Sequence, residues 1–332
     1  MHPTERIYVA GHKGMVGAAL VQRLREQGFE NLILRTHREL DLTEEASVRR
    51  FFHAEKPDHV FLAAAKVGGI LANNNYPADF IRENLAIQTH IIHEAWRSGV
   101  QRLLLLGSSC IYPRASPQPM AEEYLLTGPL EPTNRPYALA KIAGIEMCWA
   151  YNRQHGTQFL AVMPTNLYGP GDNFDLETSH VIPALVRKCH EAKIRGDAQV
   201  TVWGSGAPRR EFMHSRDAAD ACVFLMHLPE GRFRSLLAAD RNDGPPPIVN
   251  IGFGEDLTIA ELTSLIADIV GFRGEIVYDR SRPDGTPQKL VDSKRLRALG
   301  WHPSIPLRDG LVDLYAYLLK NGYSRRDSYT RV

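Results

Sequence analysis

The fold is decided by the stretch Ile7-Tyr8-Val9-Ala10-Gly11-His12-Lys13-Gly14-Met15-Val16-Gly17. An apolar run, a GxxGxxG pattern and the amphipathic segment 18–25 follow one another, which predicts a strand, a tight turn and a helix. Glycines there permit close approach of the backbone to a pyrophosphate, with the helix N-terminus facing the anion. We interpret residues 11–17 as a dinucleotide phosphate loop. A glycine-rich turn without a ligand is the less favoured alternative.

Short apolar runs alternate with segments of helical period up to about residue 170. This order predicts strands joined by crossover helices, and hence a parallel sheet covered on both faces. The sequence therefore predicts an α/β protein with a Rossmann-type, doubly wound parallel sheet. The predicted strands are residues 6–10, 32–35, 59–63, 102–106 and 159–163.

Beyond residue 170 the pattern is less regular, with breaks at 169–171 and 243–247, where glycine and proline cluster. We interpret residues 1–170 as the Rossmann domain. Residues 171–332 are then mainly a smaller C-terminal α/β lobe for the substrate, with some chain returning to the first domain. Helices are predicted at 181–192, 259–270 and 307–319.

Composition narrows the class of protein. The 332 residues are 44% hydrophobic and 23% charged with a net charge of +1, so no excess of one charge favours nucleic acid or a membrane surface as a partner. The four cysteines lack CxxC spacing, and we expect neither a metal site nor disulfides. No apolar run is long enough to span a bilayer, and the N-terminus lacks the pattern of a secretory signal. We expect a cytoplasmic enzyme.

The end of the second predicted strand indicates the cofactor. NAD enzymes usually place a carboxylate there for the ribose hydroxyls, whereas this chain has Arg35, His37 and Arg38. Guanidinium groups bind a 2′-phosphate, so NADP(H) is favoured, with Lys13 as a second phosphate contact. Which of the three residues binds the 2′-phosphate stays open, and a solvated strand end is the alternative. Asp41 and Leu42 follow at the spacing of an adenine contact.

Three side chains form a candidate catalytic triad. Ser108 follows the fourth strand, and Tyr137 and Lys141 are four residues apart on one face of a predicted helix. A tyrosine can donate a proton to a developing alkoxide, and we expect the neighbouring ammonium to lower its pKa. A serine can hold the same oxygen by a hydrogen bond.

These residues resemble the extended short-chain dehydrogenase/reductase family over nearly the whole chain. The closest similarity is to members that epimerise C3 and C5 of GDP-4-keto-6-deoxy-D-mannose and then reduce C4 with NADPH to form GDP-L-fucose. The supporting motifs are residues 63–70, 107–113, 164–170, 179–183, 203–206, 210–212 and 283–287.

The resemblance also implies residue roles. Cys110 and His180 match the acid and base that invert C3 and C5; a buried core thiol and a surface histidine are the alternatives. Residues implied to line the cofactor are Leu106, Gly107, Ser108, Ser109, Lys141, Pro164, Thr165, Asn166, Leu167 and His180. Residues implied to bind the nucleotide of the substrate are Lys188, Trp203, Arg210, Asp284 and Lys289.

Other functions stay open at this stage. Nucleotide-sugar dehydratases of this type carry an acidic pair after the serine or threonine, and 4-epimerases lack the cysteine, so both are disfavoured. A sister enzyme acting on a related deoxy-sugar, such as the precursor of GDP-colitose, remains. A binding protein that senses NADP would be expected to lack Tyr137 and Lys141 in register, and both are present. His90 and His93 lack a third metal ligand. The resemblance implies a homodimer through helices at 79–97 and 137–155.

Overall fold

The computed structural model describes residues 1–237, 248–282 and 284–323. The predicted break at 243–247 and Pro283 of the motif at 283–287 lie outside the described residues. None of the helices within these ranges is long and apolar enough to cross a membrane.

The strands of the described residues are β1 Ile7–Ala10, β2 Leu32–Ile33, β3 His59–Leu62, β4 Arg102–Leu106, β5 Phe159–Pro164, β6 Asn166–Tyr168, β7 Gln199–Trp203, β8 Arg209–His214, β9 Ile248–Ile251, β10 Asp256–Thr258, β11 Glu275–Asp279 and β12 Gln288–Lys289. The helices are α1 Met15–Glu26, α2 Glu45–Glu55, α3 Ile70–Asn75, α4 Pro77–Arg97, α5 Arg135–His155, α6 Val181–Arg195, α7 Ser215–His227, α8 Glu230–Leu237, α9 Ile259–Val270, α10 Lys294–Ala298 and α11 Leu307–Asn321.

The central sheet has six strands in the order β2-β1-β3-β4-β5-β9, and every pairing is parallel. Successive strands first extend the sheet to one side of β1 and then to the other. The strand order therefore reverses at β1 and β3, which is where open α/β sheets bind ligands. The prediction of a Rossmann-like parallel sheet is confirmed.

Both faces of this sheet are buried because side chains alternate along each strand. Ile7 and Val9 of β1 pack in one core cluster with α1 and α7, whereas Tyr8 and Ala10 pack in a second cluster with α2, α4 and α5. The helices cover the sheet in pairs, α1 against α7 on one side and α4 against α5 on the other.

The later part of the chain forms two smaller sheets. In one, β8 pairs with β6, β10 and β12; in the other, β7 pairs with β11. A third core cluster contains Tyr168, Phe174 and apolar residues of α6, α9 and α11. The chain rejoins the central sheet at β9, which pairs with β5. The division into lobes near residue 170 stays a prediction.

Predicted and observed boundaries differ mainly at sheet edges. Predicted strand 102–106 and helix 259–270 match β4 and α9, and β1, β3 and β5 differ from prediction by one residue. Predicted strand 32–35 ends at Ile33 because β2 is an edge strand that pairs with β1 only through Leu32 and Ile33. Arg35 then turns towards α2, where it pairs with Glu55.

One buried arginine joins the start of β4 to the helices beneath the sheet. Arg102 is only 8% exposed, and its guanidinium donates to the carbonyl oxygens of Met226 at 2.9 Å and Leu228 at 2.8 Å. It also pairs with Glu230 at 2.9 Å and lies 4.2 Å from the ring centre of Phe233. Because these carbonyls end α7, the arginine satisfies acceptors that the helix leaves unpaired.

We expect Arg102→Met to lower the free energy of unfolding by about 2–3 kcal/mol, because two buried carbonyls lose their donors. Arg234→Met is the matched control: Arg234 pairs with the same Glu230, but its side chain is 67% exposed. The control should change stability by less than about 0.5 kcal/mol. Urea-induced unfolding measures both variants, and equal losses would contradict this account.

Candidate active site

The predicted site residues lie at one edge of the central sheet. Because β1, β3, β4 and β5 are parallel, their carboxyl ends meet at the same edge. The phosphate loop follows β1, residues 63–69 follow β3, and the segment with Ser108 and Cys110 follows β4. Thr165 and Asn166 follow the end of β5. These four segments form the candidate site.

The loop after β1 is shaped for an anion. Gly11 has a φ of +83°, and its carbonyl accepts from the amide of Gly14 at 2.9 Å. A Cβ at Gly17 would lie 2.0 Å from the Gly11 oxygen, so no other residue fits without moving the turn. Helix α1 starts at Met15, and no side chain caps its N-terminus. The first amides of α1, including that of Val16, can therefore bind a pyrophosphate.

The basic turn after β2 contains one arginine that is already paired. Arg35 forms an ion pair with Glu55 and donates to the carbonyl of Leu34 at 3.0 Å. Arg38 is exposed, and no ion pair of its guanidinium is recorded within the described ranges. His37 lies 3.5 Å from Asp41, and burial lowers the pKa of its imidazole. Arg38 is thus the better placed of the two arginines for a 2′-phosphate.

The remaining predicted cofactor contacts differ in whether their side chains already bond to other residues. Asp41 accepts from the amide and hydroxyl of Thr43, at 2.9 and 2.7 Å, and Leu42 is buried. Burial lowers the pKa of His12, and its Nδ1 atom is buried without a partner in the described structure. Lys13 is exposed on the phosphate loop.

The predicted hydroxyl pair is present. Ser108 lies two residues beyond the end of β4, and its hydroxyl is close enough to that of Tyr137 to act on the pKa of the phenol. Ser108 Oγ also accepts from the amide of Cys110 at 3.3 Å, as the cap of a single helical turn. That turn places the sulfur next to the hydroxyl pair. The ring of Phe80 packs edge-on against Tyr137, with centroids 6.3 Å apart.

Lys141 joins α5 to the end of β4. Its side chain is only 4% exposed, and Nζ donates to the carbonyl of Leu106 at 2.8 Å. Nζ lies 5.8 Å from the ring centre of Tyr137. Burial lowers the pKa of the ammonium to about 8. The contact with Leu106 holds α5, and so Tyr137, over the loop that contains Ser108.

The pKa of Tyr137 differs from expectation. Burial raises it above the ordinary value of a phenol, Cys110 raises it further, and only the hydrogen bond from Ser108 opposes the shift. The prediction that this pKa is lowered is therefore wrong, because burial is the largest influence on the phenol and raises its pKa. A raised pKa keeps the phenol protonated at neutral pH, and a proton donor has to be protonated.

Polar groups surround the sulfur of Cys110. Asn134 Nδ2 donates to Sγ at 3.2 Å, and Lys289 Nζ lies 3.9 Å from it. Arg210 is within electrostatic range: burial lowers its pKa, whereas Asp284 and Cys110 act in the opposite direction. Cys110 is half-buried and therefore reachable from the site. The alternative of a thiol buried in the core does not describe this residue.

His180 is exposed at the residue before α6. The backbone nearby is tied to the loop after β3, because the amide of Gly69 donates to the carbonyl of Thr178 at 2.9 Å. Helix α3, which follows Gly69, packs against the turn Pro132–Asn134 next to Cys110. His180 thus lies on a segment that borders the site.

Residues at the ends of β4 and β5 line the same edge through backbone contacts. The amide of Gly107 donates to the carbonyl of Val162 at 2.8 Å, and Ser109 is buried. Thr165 Oγ1 and Asn166 Nδ2 both donate to the backbone carbonyl of Glu211, at 3.2 and 2.8 Å. Pro164 ends β5, and the half-buried Leu167 lies in β6.

The residues predicted to bind a nucleotide do not form one group: Lys188 contacts Trp203, Asp284 interacts with Arg210, and Lys289 lies near the sulfur of Cys110. Trp203 is 53% exposed and lies between two cations, with Lys188 Nζ at 5.1 Å and Arg282 Cζ at 5.2 Å from its ring centre. Both carboxylate oxygens of Asp284 accept from Ser205, at 2.9 and 2.6 Å, and these bonds lower its pKa. Asp284 therefore closes a loop, whereas Trp203 offers an open aromatic face.

Sequence reasoning missed two residues next to the site. Asn134 immediately precedes α5 and contacts the sulfur of Cys110. Glu211 is fully buried, and its carboxylate accepts from the amides of Gly254 at 2.7 Å and Val291 at 3.0 Å. The position of Asn134, three residues before Tyr137, was a usable signal. No local pattern indicated Glu211, because the burial of a charged residue inside a strand cannot be predicted from its neighbours in the sequence.

The other histidines and cysteines considered in the sequence analysis contact residues outside the site or are buried. His90 contacts the carbonyl of Leu42 at 3.0 Å, and His93 contacts the hydroxyl of Tyr151 at 2.7 Å. The described residues contain no group of three side chains arranged for a metal ion. The buried thiols, whose pKa values burial raises, are Cys148, Cys189 and Cys222.

Comparisons with known proteins agree with this geometry. The profile of the NAD dependent epimerase/dehydratase family matches residues 7–252. GDP-L-fucose synthase 1 of Arabidopsis thaliana is 57% identical over 320 residues, covering 96% of this chain and 95% of that protein. GDP-L-fucose synthase of Escherichia coli (strain K12) is 51% identical over 317 residues, covering 96% and 97%. A solved GDP-mannoheptose C4 reductase from Campylobacter jejuni with NADP bound is 39% identical, with a TM-score of 0.86 and coverage of 96% and 99%.

We expect Arg38→Ala to weaken NADPH binding about tenfold or more and to leave NADH binding unchanged, because a charge-assisted contact with the 2′-phosphate is lost. Arg35→Ala is the comparison, since Arg35 already pairs with Glu55. Titration of cofactor fluorescence with each variant measures both affinities. A loss of NADPH selectivity on changing Arg35 but not Arg38 would reverse the assignment.

Proposed function

Because the chain belongs to the NAD dependent epimerase/dehydratase family, we propose that it converts GDP-4-keto-6-deoxy-D-mannose to GDP-L-fucose. The reaction inverts C3 and C5 and reduces the C4 ketone with NADPH. The residues fit this cofactor: the uncapped start of α1 and the glycine turn suit a pyrophosphate, and Arg38 suits a 2′-phosphate. When bound, NADPH supplies the hydride that C4 receives.

Epimerisation needs a base close to the carbons that flank the ketone. The C4 ketone acidifies the hydrogens on C3 and C5, because the resulting charge spreads onto oxygen. Cys110 takes these protons as a thiolate, and Ser108 and Tyr137 hold the enolate oxygen by hydrogen bonds. His180 returns a proton to the opposite face, a role suited to an imidazole near neutral pH.

Reduction uses the same oxygen-binding groups. As C4 is reduced, charge develops on its oxygen, and the phenol of Tyr137 supplies the proton. The raised pKa of Tyr137 keeps that proton in place until an alkoxide forms. Lys141 positions α5 through the carbonyl of Leu106 and brings a positive charge close to the phenolate. One pocket for a single oxygen thus serves both half-reactions.

The nucleotide of the substrate is held away from the reacting carbons. Trp203 provides an exposed aromatic face for the base, and Lys188 lies over its ring. Arg210 can neutralise the pyrophosphate. Asp284 keeps the loop of Ser205 closed beside them.

A single observation carries this proposal: the half-buried Cys110 shares one turn with Ser108, and its thiol interacts electrostatically with Tyr137. A simple reductase needs only the hydroxyl pair and Lys141. A base on the same loop is what inversion of the neighbouring carbons requires. The GDP-L-fucose synthases that match this chain along its length support the identity of the sugar.

The direct test supplies the purified protein with GDP-4-keto-6-deoxy-D-mannose and NADPH in deuterium oxide. We expect loss of reduced nicotinamide absorbance and a GDP-L-fucose product with deuterium at C3 and C5. No oxidation with this ketone, but oxidation with the precursor of GDP-colitose, would assign the sister activity instead.

Two variants separate the half-reactions. Cys110→Ser should lower deuterium exchange at C3 and C5 by at least about a hundredfold while NADPH still binds, since the base is lost. Tyr137→Phe should slow reduction more than exchange. Tyr151→Phe is the matched control, because it makes the same change on the same helix beside His93. Normal exchange in Cys110→Ser would remove the thiol from the mechanism.

We also propose a homodimer formed through α4 and α5. Leu139, Ala143 and Met147 recur every four residues along α5, and Leu139 is 44% exposed. The hydroxyl of Thr89 on α4 lies 3.7 Å from the sulfur of Met147, so the two helices share this apolar surface. Burial raises the pKa of Glu146 on the same stretch.

Leu139→Arg should convert the dimer to a monomer, because the interface would bury an unpaired charge. Ile194→Arg is the control: Ile194 is 70% exposed on α6, away from this surface. Light scattering after size-exclusion chromatography measures the mass of each. A Leu139→Arg protein that stays dimeric would place the interface elsewhere.

A cytoplasmic location completes the proposal. The mechanism requires Cys110 as a free thiol, and none of the four cysteines is paired. Reducing compartments keep such thiols free.

A further inference from the structure

The sulfur of Cys110 has two polar neighbours that come from distant parts of the chain. Asn134, at the start of α5, donates an amide hydrogen at 3.2 Å. Lys289, on β12, places its ammonium 3.9 Å away. Both groups favour a negative charge on sulfur, because one donates a hydrogen bond and the other carries a positive charge.

The position of Lys289 is set by strand register. Strand β12 pairs with β8 so that Lys289 lies directly opposite Arg210. Neighbours across two paired strands point to the same face, and both cations therefore face the loop of Cys110. Arg210 is also placed to meet the substrate pyrophosphate, whereas Lys289 is the cation in contact with the sulfur.

A hydrogen-bonded frame holds the segment after Lys289 against the loop of Cys110. The amide of Met120 donates to the carbonyl of Leu290 at 2.7 Å, and the amide of Asp292 donates to Met120 at 2.8 Å. The carboxylate of Glu211 accepts from the amide of Val291. The backbone that follows Lys289 is therefore held by Met120 on one side and by Glu211 on the other.

A buried asparagine ties this frame back to the loop. Asn250 is fully buried, and its amide donates to the carbonyls of Met120 at 2.9 Å and Asp292 at 3.1 Å. Its oxygen accepts from the hydroxyl of Tyr112 at 2.6 Å, two residues after Cys110. This buried network thus holds together the backbone segments from which Lys289 and Cys110 extend.

We propose that Lys289 is a positioning residue for Cys110, which it holds in the thiolate form with the help of Asn134. This assignment rests on the proposed function, in which Cys110 is the base. The family resemblance implies that Lys289 binds the nucleotide. In this proposal Lys289 acts on the thiol instead.

The step balances without a further reagent. The sulfur starts as an anion and takes a proton from C3 or C5, and the electron pair of the broken C–H bond moves onto the ketone oxygen. The thiol formed returns its proton to solvent before the next turnover, and nothing is oxidised or reduced. The charge of Lys289 favours the thiolate at the start of each proton transfer.

In the described part of the chain, the titratable and charged groups that interact with the sulfur include Lys289 on β12, Arg210 on β8 and Tyr137 on α5. Tyr137 is protonated near neutral pH, so it adds no opposing charge there. Removal of Lys289 leaves Arg210 as the remaining cation, and the loss of thiolate should be partial.

Alkylation by iodoacetamide tests the contact without any substrate. The thiolate displaces iodide, and mass spectrometry locates the new C–S bond; the three other thiols are buried. We expect Lys289→Met to slow alkylation of Cys110 at pH 7 about tenfold and to move the midpoint of its pH profile upwards. Asn134→Ala should slow it about threefold, the effect of one neutral hydrogen bond.

Matched variants separate charge from structure. Lys289→Arg retains the charge and should retain most of the reactivity. Lys294→Met removes an exposed lysine from the same segment, where it pairs with Asp292, and should leave alkylation unchanged. If Lys289→Met does not fold, Lys289→Gln gives the same comparison with a polar side chain.

The outcome for each proposal is distinct. Two results in Lys289→Met together support the assignment. Alkylation becomes slower and the midpoint of its pH profile rises, and the kcat of deuterium exchange falls with little change in KM for the GDP-sugar. An unchanged alkylation profile overturns it, and a raised KM would then return Lys289 to the nucleotide. If the wild-type protein turns over no GDP-4-keto-6-deoxy-D-mannose, the proposed function fails, while the dependence of alkylation on Lys289 still decides the contact.

Discussion

Parallel strand pairing is the constraint on which the candidate site depends. Every crossover returns the chain to the same end of the sheet, so the segments after β1, β3, β4 and β5 emerge side by side. None of these segments could build the site alone. The glycine loop lacks the hydroxyl pair and the thiol, which come from the loop of Ser108 and Cys110 and from α5. Their chemistry arises where the strand order reverses.

The second half of the chain brings positively charged side chains to this edge of the central sheet. Strand β8 joins β6 and β12, and the buried carboxylate of Glu211 connects it to the segment after β9 by bonds to backbone amides. Burial raises the pKa of that carboxyl group, yet several amides satisfy its oxygens. This arrangement brings Arg210 and Lys289 to the loop of Cys110 as parts of a rigid sheet.

Local patterns explain what could be predicted from the sequence. Five of the six strands of the central sheet, the phosphate loop and the Tyr137–Lys141 pair each depend on residues within a few positions of one another. The sixth strand, β9, was not predicted. The contact between Cys110 and Lys289 could not be predicted, because 179 residues separate them and strand register sets the distance. The pairing of Arg35 with Glu55 could not be predicted either, because the two residues are far apart in the sequence. The pKa of Tyr137 depends on burial, which a nearby lysine in the sequence does not reveal.

The buried ammonium of Lys141 also has a thermodynamic consequence. Its pKa falls from 10.5 to about 8 on folding, so the unfolded chain holds that proton more tightly. Below pH 8 this difference opposes folding by about 3 kcal/mol, and the penalty shrinks as pH rises from about 8 towards 10.5. A methionine there would relieve the penalty and remove the charge that the phenolate needs. The lysine thus represents a trade-off between conformational stability and catalytic power, and the remainder of the fold has to compensate for it.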